Sequence, residues 1–153
     1  MTIDQRLAEL GITLPQAAAP VAAYVPTVEV GGLLHVSGQI SFAEDGSLMK
    51  GRLGDDVDLD AGMAAARRCG IMLLAQIKAA LGSLDRVERI VKLGVFVNST
   101  TDFTDHPKVA NGASELMVEV FGEAGKHARA AVGVAALPLG VAVEVDAVVA
   151  IKA

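Results

Sequence analysis

The chain has 153 residues, a formal net charge of −5 and a single cysteine. Hydrophobic residues make up 52% of it before its 16 glycines are counted, against roughly 45–50% with glycine included in an average domain, so disorder is excluded. Thirteen basic against 18 acidic residues leave no cationic surplus to replace counterions along a phosphate backbone, which argues against a nucleic-acid partner.

The length predicts one domain over residues 1–153, with residues 1–22 as an N-terminal extension. Cys69 has no intramolecular disulfide partner, which fits a reducing cytoplasm. Asp4, Arg6 and Glu9 break the N-terminal apolar pattern, so no signal peptide is expected. The nearly uncharged stretch 130–143 is too short to span a bilayer and is interrupted by Pro138 and Gly140, so no membrane partner is expected either. The apolar surplus is Ala and Val, with four Phe, one Tyr and no Trp. More apolar side chain than one small core needs predicts burial between subunits.

In chain order, Thr2 with Gln5 reads as a capping box for a short helix over about 3–10, closed by Gly11. The Ala/Pro-rich residues 14–20 read as an extended surface segment. Two β-rich runs, 24–30 and 33–37, flank Gly31-Gly32 and predict a hairpin. A turn-rich excursion follows over 43–56, with Asp45-Gly46 inside it. Asp58 then caps the strongest helix, in which Leu59, Met63, Ala66, Gly70, Leu73, Ile77 and Leu81 recur at spacings of four and three. Gly70 on that stripe predicts a close helix–sheet approach, and Gly82 ends the helix. Residues 87–97 read as a buried strand. Asp105 and Pro107 start a second helix that runs to about Phe121. Two β runs, 128–135 and 141–151, hinge on Leu137-Pro138-Leu139-Gly140. The order ββ–α–β–α–ββ is that of an α+β domain with helices on one face of a mixed sheet.

General catalytic motifs are absent. Val120 stands where a phosphate-binding Gly-x-x-x-x-Gly-Lys would need its first glycine, and His35 where Gly-x-Ser-x-Gly would. His35, His106, His127 and Cys69 lack metal-ligand spacing, so neither metal nor cofactor is expected. His35 sits in an apolar strand and reads as a core histidine; Cys69 borders the long helix's stripe and reads as packing.

Two charges interrupt apolar strands. Arg129 heads a run of small residues, and Glu144 lies among valines, where an uncompensated buried charge costs several kcal/mol. Alternation puts Glu144 on one face with Ala142 and Asp146, opposite Val141, Val143 and Val145. Two readings follow. Arg129 pairs with Glu144 or Asp146 at a solvated sheet edge, or its guanidinium fork receives a planar carboxylate while a neighbouring carboxylate serves as acid and base for water.

The segments Tyr24-Val25, Val36-Ser37-Gly38-Gln39-Ile40, Lys92-Leu93-Gly94-Val95-Phe96-Val97, Ala128-Arg129-Ala130-Ala131-Val132, Leu137-Pro138 and Val143-Glu144-Val145 together resemble the YjgF/RidA family of enamine/imine deaminases. The resemblance covers about residues 23–153. It implies a chorismate-mutase-like fold, homotrimers with clefts between subunits, and cofactor-free hydrolysis of 2-imino or enamine acids to 2-keto acids and ammonia. By position it implies that Arg129 binds the substrate carboxylate and Glu144 orients or activates water. Tyr24 (from the neighbouring subunit) and Ser37 would line the cleft, and Asn111 would match an Asn near the start of the second helix. Ala131 stands where the family often has Cys, and the N-terminal helix, part of the second helix and the 122–126 turn are additions, as in a divergent, longer subgroup. Competing readings are a non-catalytic binding module for keto or amino acids, and a ribonuclease like the relatives called endoribonuclease L-PSP. The −5 charge, the lack of a basic stripe and the single Tyr oppose the ribonuclease.

Overall fold

The computed structural model describes residues 1–19 and 22–153. Its elements are α1 (Ile3–Glu9), β1 (Thr27–Val30), β2 (Leu33–Ile40), α2 (Leu59–Leu81), β3 (Val87–Asn98), α3 (His106–Phe121), β4 (Ala128–Val134) and β5 (Val143–Ile151). Short 3-10 turns occupy 84–86, 122–125 and 138–140. The strands form one five-stranded sheet in the order β1-β2-β5-β3-β4. Only β3 and β4 run parallel. The expected α+β class and element order are therefore present, and the hairpin turns on Gly31 and Gly32, at φ 60° and 77°, the left-handed values a two-residue connection requires.

Alternation along the strands sorts the sheet into two unlike faces. Val143, Val145, Ala147, Val149 and Ile151 of β5, with Ile90, Leu93, Val95 and Val97 of β3, are buried and form the core with Leu73, Leu74, Ile77, Leu116 and Met117 of α2 and α3. Glu144, Asp146 and Val148 point the other way, on a level with Val28 of β1, Phe96 of β3 and Val132 of β4. No helix of the described residues covers that second face, and Val28, Val30 and Val132 on it are about half exposed.

Helix α2 starts where its cap predicts: the Asp58 side chain accepts from the Ala61 amide at 2.8 Å, and the helix stops at Gly82 in the left-handed region. The expectation for Gly70 needs correction. A Cβ there would stand 2.7 Å from Leu116 Cδ2 on α3, so this glycine admits a neighbouring helix rather than the sheet. Gly112 of α3 lies likewise against the backbone of Met63. The tight approach to the sheet falls one residue earlier, at buried Cys69, whose thiol donates to the Val143 carbonyl at 3.3 Å.

The N-terminal helix has the predicted reciprocal box, with Gln5 N–H donating to Thr2 Oγ1 and Thr2 N–H to Gln5 Oε1. Arg6 Nε docks it on α3 by donating to the Glu119 carbonyl at 2.8 Å. Residues 14–19 have no regular structure, and Gln76 of α2 holds the Ala18 carbonyl; Pro20, the end of the predicted extended segment, lies outside the described residues. No helix among the described residues is long and apolar enough to cross a membrane.

Candidate functional site

Arg129 lies on β4, the edge strand, in register with Leu93 and therefore on the helix-covered face. Its Nη1 donates to Asn111 Oδ1 at 2.9 Å and to Ser114 Oγ at 3.0 Å. Those two acceptors are three residues apart on α3, a spacing that puts them on one helix face. Both Nη1 protons are thereby used. The Nε and Nη2 protons remain, and this is the edge of a guanidinium that matches a carboxylate with two parallel hydrogen bonds. Among the described residues no carboxylate pairs with Arg129.

Behind Ser114 stands His127. Its Nδ1 lies 2.6 Å from the Gly125 carbonyl and its Nε2 2.9 Å from Ser114 Oγ. A carbonyl only accepts, so Nδ1 carries the proton and Nε2 accepts from the Ser114 hydroxyl. Burial, and less strongly the Arg129 charge, hold the His127 pKa below its ordinary value, against the Gly125 carbonyl, which favours the proton. The net shift favours the neutral ring.

The second cluster occupies the open face. Glu144 pairs across strands with Ile40 and Phe96, and its carboxylate rests on Gly38: a Cβ at that position would stand 2.5 Å from Oε2. Gly38 lies in a bulge, because Val36 pairs with Ala147 but Gln39 with Val145, leaving Ser37 and Gly38 opposite Asp146 alone. The Asp146 carboxylate fills the equivalent space over Gly94. Burial first, and the Asp146 charge second, raise the Glu144 pKa. No cation among the described residues pairs with either carboxylate.

Arg129 and Asn111 are thus in contact, and Ser37 adjoins the glycine beneath Glu144. Tyr24 is 53% exposed in the segment before β1, which is tied to the bulge by the Ser37 amide donating to the Pro26 carbonyl at 2.9 Å. The reading in which Arg129 pairs with Glu144 or Asp146 is overturned: β3 lies between their strands, and they project from opposite faces. His35 is also not a core residue. It faces Val148 on the uncovered side and is exposed. Ser114 and His127 escape notice in the sequence, although two periodicities point at them: Ser114 follows Asn111 by one helical turn, and His127 precedes Arg129 by the strand repeat.

A sequence model of the family described as "YjgF/chorismate mutase-like, putative endoribonuclease" matches residues 4–149. Protein TCP17 of Trypanosoma cruzi is 56% identical over 148 residues, covering 96% of this chain and 92% of its own. The crystal structure of Atu1372 from Agrobacterium tumefaciens matches with a TM-score of 0.91 at 47% identity, over 98% of this chain and 92% of that one. The 2-iminobutanoate/2-iminopropanoate deaminase of Dermatophagoides farinae is 28% identical over 142 residues, 92% of this chain and 95% of its own. With a family match across nearly the whole length, a relative 56% identical and a near-superposable solved fold, the chain belongs to the YjgF/RidA family.

Proposed function

We propose that the protein hydrolyses small 2-imino or enamine acids to 2-keto acids and ammonia, without a cofactor, in clefts between the subunits of a cytoplasmic homotrimer. The observation that carries this reading is the Nε–Nη2 edge of Arg129, unpaired among the described residues and oriented by two hydrogen bonds. A 2-imino acid presents a carboxylate beside the reacting carbon, and that edge fits it. Glu144 is the base. Since it projects from the other face of its own sheet, a complete site takes Arg129 and Asn111 from one copy and Glu144, Ser37 and Tyr24 from the next. The half-exposed valines of the uncovered face supply the surface for such an association.

In that cleft Glu144 takes a proton from water as its oxygen bonds to the iminium carbon. The product is a tetrahedral carbon bearing hydroxyl and amine. The proton then passes from Glu144 to the amine nitrogen, the C–N bond breaks to release ammonia, and the regenerated Glu144 carboxylate takes the hydroxyl proton as the ketone forms. Arg129 holds the carboxylate throughout.

A second reading has one observation in its favour. The Arg129 half of the site is complete within one chain while the base is not, so a subunit on its own is a binder of keto or amino acids without turnover. The endoribonuclease reading attached to the family's description meets a net charge of −5, contrary to what a phosphate backbone attracts.

The test is keto-acid release from imino acids of several sizes, generated in the assay by an amino-acid oxidase, together with light scattering at micromolar concentration. The proposal expects a trimer and release well above the spontaneous rate. Pyruvate binding with no acceleration leaves the binding module; a clean monomer removes the composite cleft.

A further inference from the structure

We propose that Ser114 and His127 are positioning residues that lock the Arg129 fork in one orientation and so set the affinity for the acid; this rests on the reading that Arg129 receives the substrate carboxylate. An arginine side chain has many rotamers to lose, and a fork that swings has to be ordered by each ligand it binds. Here the ordering is already done. The hydrogen bonds run one way, from Arg129 Nη1 to Ser114 Oγ, from the Ser114 hydroxyl to His127 Nε2, and from His127 Nδ1 to the Gly125 carbonyl.

Each link removes a freedom that the previous one leaves. A serine hydroxyl alone can rotate and turn its proton towards the arginine, which would cancel the bond. His127 Nε2 takes that proton, so a lone pair of Ser114 faces Nη1. The ring could flip, but Nδ1 is held by the Gly125 carbonyl at 2.6 Å. Gly125 in turn is buried against the Met117 carbonyl of α3, where any Cβ would collide. The chain therefore runs from β4 through Ser114 of α3 to the 122–125 turn, which packs back on α3. Asn111 fixes the other Nη1 proton. Three cations stand around the ring, Arg129 itself, Lys126 and Arg89, whose Nη2 donates to the Lys126 carbonyl at 2.6 Å, and Glu123 is engaged by Lys126. None of these substitutes for the imidazole as an acceptor for Ser114.

The experiment is calorimetric titration of the full-length protein with pyruvate, for the parent and for Arg129→Lys, Ser114→Ala, His127→Ala and His127→Gln, with oligomeric state and thermal unfolding recorded for each. Loss of a hydrogen bond to a charged group is worth about 1.5–3 kcal/mol, so Arg129→Lys is expected to weaken binding by tens of fold. Ser114→Ala and His127→Ala, which unlock the fork but keep it, are expected to weaken it by roughly tenfold through lost orientation. His127→Gln, whose amide oxygen can accept from Ser114, is expected to recover affinity to within about threefold of the parent. With imino acids the same variants raise KM while kcat stays within about threefold, the pattern of lost uniform binding. Parent-like affinity in both Ser114→Ala and His127→Ala, with Arg129→Lys still defective, overturns the lock and leaves the carboxylate site standing. Parent-like affinity in Arg129→Lys overturns both. Equal losses in His127→Ala and His127→Gln assign the histidine to packing and overturn the lock; should His127→Ala not fold, the Ser114→Ala and His127→Gln pair decides between the same outcomes.

Discussion

The two faces of the sheet solve opposite problems. On the helix-covered side, the hydrogen bonds around Arg129 and His127 engage both Nη1 protons, the Ser114 hydroxyl and the imidazole, and leave the Nε–Nη2 edge of the guanidinium without a partner among the described residues. On the uncovered side two carboxylates sit over glycines among valines, with no cation paired to them among the described residues. The first face is preorganised for an anion. The second is under electrostatic and desolvation tension. A cation-bearing cleft from another copy would relieve the second and complete the first, which is why assembly and chemistry are expected to stand or fall together.

The largest effect is expected where the chemistry depends on one proton. Glu144→Gln keeps the side-chain shape over Gly38 but removes the base, and imino-acid turnover is expected to fall about a hundredfold or more. Folding is not expected to suffer: desolvation and Asp146 already penalise the ionised carboxylate, so the neutral amide is at least as well accommodated at neutral pH. A Gln variant that unfolds would mean that Glu144 has an ionic partner within its own chain, which the two-face picture denies. One that retains full activity would take the base away from this face.

Breaking the surface instead of the site gives a smaller loss. Val132 is 47% exposed on the uncovered face, and Val132→Glu would set a third carboxylate on that face, across Phe96 from Glu144, at the proposed contact. A buried unpaired charge costs several kcal/mol, enough to shift the protein towards monomer at micromolar concentration in light scattering. Turnover is expected to drop by about tenfold or more, with pyruvate affinity falling less, because Arg129 and its supports belong to one chain. An active monomer would show that both groups reach one cleft without assembly.

Much of this arrangement is legible in the sequence, and the illegible part has physical causes. Helix α2 is readable to its ends because Asp58 and Gly82 are local stop signals and its apolar repeat runs for 23 residues. Arg129 and Glu144 are readable because charge in an apolar strand is costly. Which face Arg129 uses is not, since β4 is a run of small residues whose sequence shows no alternation of polar and apolar side chains. The role of Gly38 is hidden by the bulge that shifts β2 by one position. Gly70 misleads because a helix glycine marks a close approach without saying what approaches. His35 misleads because its neighbours Leu34 and Val36 face the core while His35 alternates onto the open face. Ser114 and His127 meet 13 residues apart, through a turn whose course no local pattern reveals.

The finest test separates the two causes that act on Glu144. Its carboxyl pKa is raised first by burial and second by Asp146, and only the second can be removed without altering the fold. Asp146→Asn is nearly isosteric over Gly94, where the carboxylate now rests. With that charge gone, the proton on Glu144 is held less firmly, and its pKa moves down towards the ordinary carboxylate range. The base acts when ionised, so the acid limb of kcat/KM against pH is expected to move to lower pH, by under about one unit for two charges separated along one strand face. Well above both values the rate is expected to stay within about threefold of the parent. Stability follows the same sign. A carboxyl whose folded pKa is raised contributes stability that is fully present below its unfolded pKa and is lost as pH rises through the folded value. Removing Asp146 therefore shrinks the stability lost between acid and neutral pH, measurable as a smaller fall in Tm across that window. An acid limb that does not move would assign it to a group other than Glu144 or leave burial as the sole cause, and the smaller fall in Tm distinguishes these, since it appears only if Asp146 acts on Glu144 in the folded chain.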